Sequence, residues 1–432
     1  MKKVLYIIIA IASGLPFAAF GAKKGERESL SSGFVTEPAA QAGAYMYAGT
    51  SAPYPEAGTD MTIPDSLEVI FVNHAGRHGA RYLSSAKFTG NLLKYLDSCG
   101  ELTPAGERVR RLCQQVDSIS ANQWGALDSL GIEEQSGIGK RFALRYGQLM
   151  KRRDSIVAIA SYIPRCIMSM DQMTHGIAWQ ERNIELSAGS GRRFNHLLRF
   201  FGTDSAYIQF KANGEAERVW EAYCAKVCPI EPIRRLSKSV SALSDKDMRE
   251  LSMDLYNVVA GSMCGTIDTD WRYFFKEDEY RRLWECANLK HYLTYSWSGL
   301  SDIPVRMAQP LLDDLRITLE EAATPDYSGP AAILRFGHAE TMMPLLGLLG
   351  LPGCRYVTSN WDSVSSHWID TDVAPMAVNL QMVLCRSKTS GILYLQVYLN
   401  ERAVIPLMPW KKARLWLLHP ADGVSYVSGN KA

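Results

Sequence analysis

Short runs of β-branched and apolar residues, each closed by turn-prone residues, recur at 67–73, 156–163, 331–336, 380–386 and 392–399. Their length and composition predict buried strands. Between the early runs the apolar spacing shifts to the helical period, as in Phe88, Leu92, Leu93 and Leu96. Strands alternating with helices predict an α/β core, a sheet flanked by helices. From about 185 to 325 the pattern changes to amphipathic stretches at 215–227, 245–259 and 277–293. That segment predicts a mainly helical inserted cap domain. The core is then discontinuous, 60–184 plus 326–432, with a cleft between core and insertion as the natural place for a ligand.

Two strand exits carry candidate chemistry. The first run leads into Arg77-His78-Gly79-Ala80-Arg81, which places a histidine between two arginines directly after a strand. Arginine offers a rigid donor fork for phosphate oxygens, and a histidine among such groups can act as a nucleophile. Far downstream, the strand at 331–336 exits into Gly337-His338-Ala339-Glu340, followed by an apolar helix to Leu349. Either motif alone also describes an ordinary loop histidine. Together, each past the carboxyl end of a core strand, they sit where open α/β sheets build their sites.

These motifs resemble those of the histidine acid phosphatase clan, and within it the multiple inositol-polyphosphate phosphatases, the His-Ala-Glu class of phytases. The stretch 125–131 with Gln135, Gly139 and Arg145-Tyr146 is similar to the family's helix after the first motif. Ile163-Pro164-Arg165-Cys166 resembles the segment that carries a third pocket arginine, and 375–380 with Asn400-Glu401-Arg402 resembles the last core strands. The likeness runs from roughly 60 to 405, loosely over 185–325, and departs at Leu83, where the family has proline.

The resemblance implies a phosphomonoesterase acting on inositol hexakisphosphate and related polyphosphates, small phosphorylated molecules, through a phosphohistidine. His78 is then the nucleophile, Arg77, Arg81, Arg165 and His338 hold the phosphoryl group, and Glu340 is the proton donor. Glu340 stands one residue beyond the aspartate position of most clan members, which is Ala339 here. A helix N-terminus favours its carboxylate, whereas a bound phosphate dianion raises its pKa. Uncatalysed phosphate-monoester hydrolysis demands up to ~10²¹-fold acceleration, which suits a covalent step within dense positive charge. A broad acid or sugar phosphatase would need the same pocket, and a non-catalytic phosphate-binding protein would need neither His78 nor Glu340.

Composition adds three constraints. With 47 Lys+Arg against 45 Asp+Glu, no global field favours nucleic acid, so an anionic substrate needs a local cluster. Arg182, Arg192, Arg193 and Lys211 are candidates for the remote phosphates. Met1-Lys2-Lys3, the apolar run 4–12 and the small residues 19–22 predict a signal peptide over 1–22, with 23–59 as a loose leader. The mature chain is expected to be periplasmic or secreted, with no membrane span. Nine cysteines leave at least one thiol unpaired, with Cys224 and Cys228 either bridged or two small buried side chains. No metal-ligand spacing occurs, so neither metal nor cofactor is expected. His74, His367 and the pair Asp171 and His175 are the remaining titratable groups of note, each with an ordinary structural explanation.

Overall fold

The computed structural model describes residues 45–56, 63–239, 243–263, 267 and 269–420. The signal-peptide segment lies outside these residues. Seven strands form one sheet in the order β3-β2-β4-β1-β5-β6-β7. They are β1 Leu67–Arg77, β2 Ser155–Ala160, β3 Glu185–Ser190, β4 Ala332–Gly337, β5 Asn379–Ser387, β6 Leu393–Leu399 and β7 Arg402–Pro409. The half β3-β2-β4-β1 is parallel, and β5, β6 and β7 extend it antiparallel. The expected α/β core with a helical insertion is present.

Helices cover both faces. On one lie α1 Ser129–Arg152 and α2 Pro164–Gln180, where Phe142, Ile156, Met173, Phe336 and Val383 form a core. The other face buries Phe71, Ala75, Leu345, Leu384 and Trp416 in a core continuous with the helical domain. β1 serves both faces because successive side chains alternate, and the register shift between Val69 and Phe71 puts Ile70 and Phe71 on the same side.

Several boundaries differ from the pattern-based expectation. β2 stops at Ala160, because Pro164 starts α2 at its first turn and Ile163 is its cap. Glu185–Ser190, assigned to the insertion, is instead the edge strand β3. It is largely exposed, so it lacks the apolar run that marks a buried strand. β7 was also unforeseen: Pro406 and Pro409 obscure it, and an edge strand tolerates them. The helix α3, Gln309–Ala322, belongs to the sheet rather than to the cap. Asn73 Nδ2 donates to the Leu315 carbonyl at 2.8 Å, and the buried Arg335 pairs with Asp314 at 2.6 Å.

Residues 45–56, assigned to a loose leader, form a strap packed on the core. Small side chains let it lie flat, with Ala48 and Ala52 buried. The Tyr47 carbonyl accepts from Tyr256 Oη at 3.0 Å and the Ala52 carbonyl from Met376 N at 2.8 Å. Cys224 and Cys228 are free thiols, as are the other six described cysteines. Leu83 is buried in the core, and Gly261 leaves room for it.

Candidate active site

β1 and β4 are parallel neighbours, with Arg77 opposite Gly337. Their next residues, His78 and His338, therefore meet, with ring centroids 5.8 Å apart at 74°. The loop after β1 is held by backbone bonds: His78 N to Gly337 O at 3.2 Å and Ala377 N to His78 O at 3.0 Å. Gly79 is required there, since a Cβ would come within 2.6 Å of the Gly131 carbonyl. His78 Nδ1 lies 2.9 Å from the Gly79 carbonyl. A carbonyl only accepts, so the proton sits on Nδ1 and the Nε2 lone pair is left for chemistry. Burial, reinforced by Arg77, Arg165, Arg81 and His338, holds this imidazole well below the usual histidine range. It is a neutral ring among cations.

The pocket arginines come from separate elements. Arg77 ends β1, and its guanidinium donates to the Thr50 carbonyl of the strap at 2.6 Å and to Ala374 O at 2.7 Å. Arg81 donates to the Tyr82 carbonyl at 3.0 Å. Arg165 occupies the first turn of α2 and reaches His338 Nδ1 at 3.5 Å. Arg199 was not anticipated from the sequence, yet it lies 3.2 Å from His338 Nε2 and stacks near Tyr162 and Phe201. Ser161 Oγ is 3.0 Å from the same nitrogen.

His338 caps the helix α4, Ala339–Leu349, with its N–H donating to Thr341 Oγ1 at 3.0 Å. That hydroxyl in turn donates to the Leu198 carbonyl at 2.7 Å, which fixes the chain beside Arg199. Burial pushes His338 down to about 3, helped by Arg165, Arg199 and Arg77 and opposed by Glu340. Glu340 is half-buried in the first turn of α4. Burial alone would raise its carboxyl, but His338, Arg77 and Arg165 pull it below the ordinary carboxylate range. Two histidines and four arginines thus gather around one acidic residue.

The sequence pattern of the histidine phosphatase superfamily (branch 2) matches residues 68–400. The chain belongs to that family. Among curated relatives, multiple inositol polyphosphate phosphatase 1 of Gallus gallus is 25% identical over 366 residues, spanning 76% of this chain and 75% of the relative. The protein of the same name from Homo sapiens is 23% identical over 244 residues, 52% of this chain and 49% of that one. Among solved structures, the Bifidobacterium longum multiple inositol polyphosphate phosphatase with phosphate superposes with a TM-score of 0.74 at 18% identity. That likeness covers 86% of this chain and 97% of the other. The D. castellii phytase gives 0.67 at 14% identity, covering 90% and 88%.

Other residues singled out in this branch 2 chain fall at varying distances from the pocket. Arg192 lies 4.6 Å over the ring of Tyr162, whose neighbour Arg199 touches His338, so it borders the site. Lys211 lies 5.9 Å from the ring of Tyr207, whose hydroxyl feels the Glu340 carboxylate. Arg193 stacks on Phe194. Arg182 stacks on Trp179 beyond the far end of α2, about 25 Å along the helix from Arg165. Asp171 and His175 are exposed on α2, and His367 stacks on Tyr356 at 4.3 Å. His74 is buried beside Phe336 and lowered to about 3, by burial first and Arg335 second. Among the described residues, no group of three His, Cys, Asp or Glu side chains could hold a metal ion.

Proposed function

We propose that the protein is an exported phosphomonoesterase that hydrolyses inositol hexakisphosphate and lower inositol polyphosphates through a phosphohistidine. The observation that carries this reading is the state of His78: protonated on Nδ1 by its bond to the Gly79 carbonyl, with Nε2 free amid arginines. Nε2 attacks phosphorus in line while Arg77, Arg81, Arg165 and Arg199 take up charge on the equatorial oxygens. At an effective dielectric of ~20, each charge pair near 4 Å contributes roughly 4 kcal/mol before desolvation. A substrate phosphate also relieves the crowding of guanidinium groups on His338.

The leaving alkoxide needs a proton, and Glu340 is the acid beside His338. Its carboxyl is held low by His338, Arg77 and Arg165. An arriving dianion screens the arginines and raises it, so the proton becomes available with the substrate. The carboxylate left behind then activates the water that cleaves phosphate from His78. The same acid serves both half-reactions in opposite directions.

The names of the relatives support inositol polyphosphates as the substrate class, and Arg192 and Lys211 would meet phosphates beyond the scissile one. Export rests on the amino-terminal residues 1–22. No described helix is long and apolar enough to cross a membrane. The test is phosphate release from inositol hexakisphosphate and from nitrophenyl phosphate at one pH, with His78→Ala as control. Release from both, with a lower KM for the hexakisphosphate, is expected. Release only from the aryl ester would move the assignment to a general acid phosphatase.

A further inference from the structure

Glu134 lies on the second turn of α1, outside the pocket described above, and its two carboxylate oxygens are both spoken for. Oε2 accepts from the backbone N–H of Ala80 at 2.7 Å, and Oε1 accepts from the N–H of Tyr54 at 2.7 Å. Ala80 is the fourth residue of the Arg77–Arg81 loop, and Tyr54 belongs to the strap. One side chain thus joins the nucleophile loop to a segment that precedes it by more than twenty residues.

The same strap has two other attachments to the site. Its Thr50 carbonyl takes the Arg77 guanidinium at 2.6 Å. Beyond Glu134, Tyr54 Oη donates to the buried Glu401 at 3.1 Å and accepts from Asn379 Nδ2 at 3.1 Å. The strap therefore sets where Arg77 points, and Glu134 sets where the strap sits relative to His78. The neighbouring loop amides are tied down too, with Gly79 N donating to Ser169 Oγ at 3.1 Å. Burial pushes the Glu134 carboxyl up to about 7 against the pull of its two N–H donors. A leucine or methionine of similar volume would fill that space without this cost.

We propose that Glu134 is a positioning residue for phosphoryl transfer, aligning the His78 loop with the strap that orients Arg77. It touches no substrate and acts only through Ala80 and Tyr54. The inference rests on the phosphatase reading given above. Glutamine keeps the size of the side chain and one acceptor oxygen, but its NH₂ meets an N–H donor and one of the two bonds is lost. Alanine loses both.

The test uses the full-length protein with nitrophenyl phosphate, inorganic phosphate as competitive inhibitor, and thermal melting. For Glu134→Gln, kcat falls about ten- to hundredfold, as expected for one lost hydrogen bond to a charged group. KM and the phosphate inhibition constant stay within about twofold, because the arginines remain and only their alignment with Nε2 suffers. Glu134→Ala falls further in kcat with the same KM. Equal kcat in the glutamine variant and wild type overturns the proposal, as does a loss of kcat matched by loss of phosphate binding and melting temperature. If wild type itself releases no phosphate from any monoester, the phosphatase reading fails first, independently of Glu134.

Discussion

His78 and His338 each stand one residue past neighbouring parallel strands, and each is followed by a chain that turns back over the sheet. Their second ring nitrogens have different partners. His78 Nδ1 faces a carbonyl, which can only accept, while Nε2 stays open. His338 has Ser161 and Arg199 on Nε2 and Arg165 near Nδ1, so both nitrogens are engaged by side chains that can also contact an anion. In the reading proposed above, His78 is the nucleophile and His338 a ligand of the phosphoryl group. Both follow neighbouring parallel strands, and they differ in what their ring nitrogens meet.

The comparison breaks most plainly at His78. His78→Ala is expected to abolish turnover of every monoester while the protein stays folded, and rapid quenching of wild type should trap phosphate on that ring. Full activity in this variant would reverse the two roles or remove both.

Next in size is Glu340, the proton donor of the proposed mechanism. With Glu340→Gln, release of inositol alkoxides should slow by ~10²–10⁴-fold, the usual contribution of general acid catalysis. Nitrophenolate, a good leaving group, should be affected far less. Equal losses on the two substrates would assign the proton to another group.

A smaller effect should separate the pocket from its rim. Arg192→Ala with Lys211→Ala is expected to raise KM for the hexakisphosphate about ten- to hundredfold by removing charged hydrogen bonds. KM for the aryl phosphate should not move. Arg182→Ala is the internal control, since its side chain stacks on Trp179 away from the site.

The smallest effect concerns stability. His74 and His338 are lowered to about 3 in the fold against 6.5 unfolded. As pH falls below 6.5 the unfolded chain takes up protons first, so stability is lost progressively from 6.5 towards 3. Glu134, raised from 4.5 to about 7, works the other way and loses stability as pH rises through that window. His74→Gln removes one histidine contribution, so its melting temperature should fall less steeply with acid than that of wild type. Parallel slopes would mean that His74 titrates normally.

Much of this arrangement was legible in the residue pattern, for identifiable reasons. The loops around His78 and His338 follow buried central strands, whose apolar runs are unmistakable. β3 escaped because an edge strand with exposed side chains has no such run. Arg199 escaped because it sits in a short irregular segment, positioned through Thr341 and Leu198 rather than by any local motif. The strap escaped for an opposite reason. Its Ala, Gly, Ser and Pro residues suggest loose chain, yet the small ones, Ala48 and Ala52, are what allow it to pack flat on the core. Glu134 is one of two adjacent glutamates, and only the fold shows which of them turns inward.

The position of β1 in the sheet has a consequence for how the protein comes into being. Among the described residues it is the first strand in chain order, yet both of its neighbours, β4 and β5, come from the last third of the chain. At ~5–20 residues per second, the ribosome needs on the order of tens of seconds to add the intervening segment. Throughout that time His78 exists without His338, its strand lacks partners on both sides, and the two loops cannot meet. Catalytic competence therefore arrives only with the completed polypeptide, and a chain cut short before β4 is inert towards the phosphate esters around it.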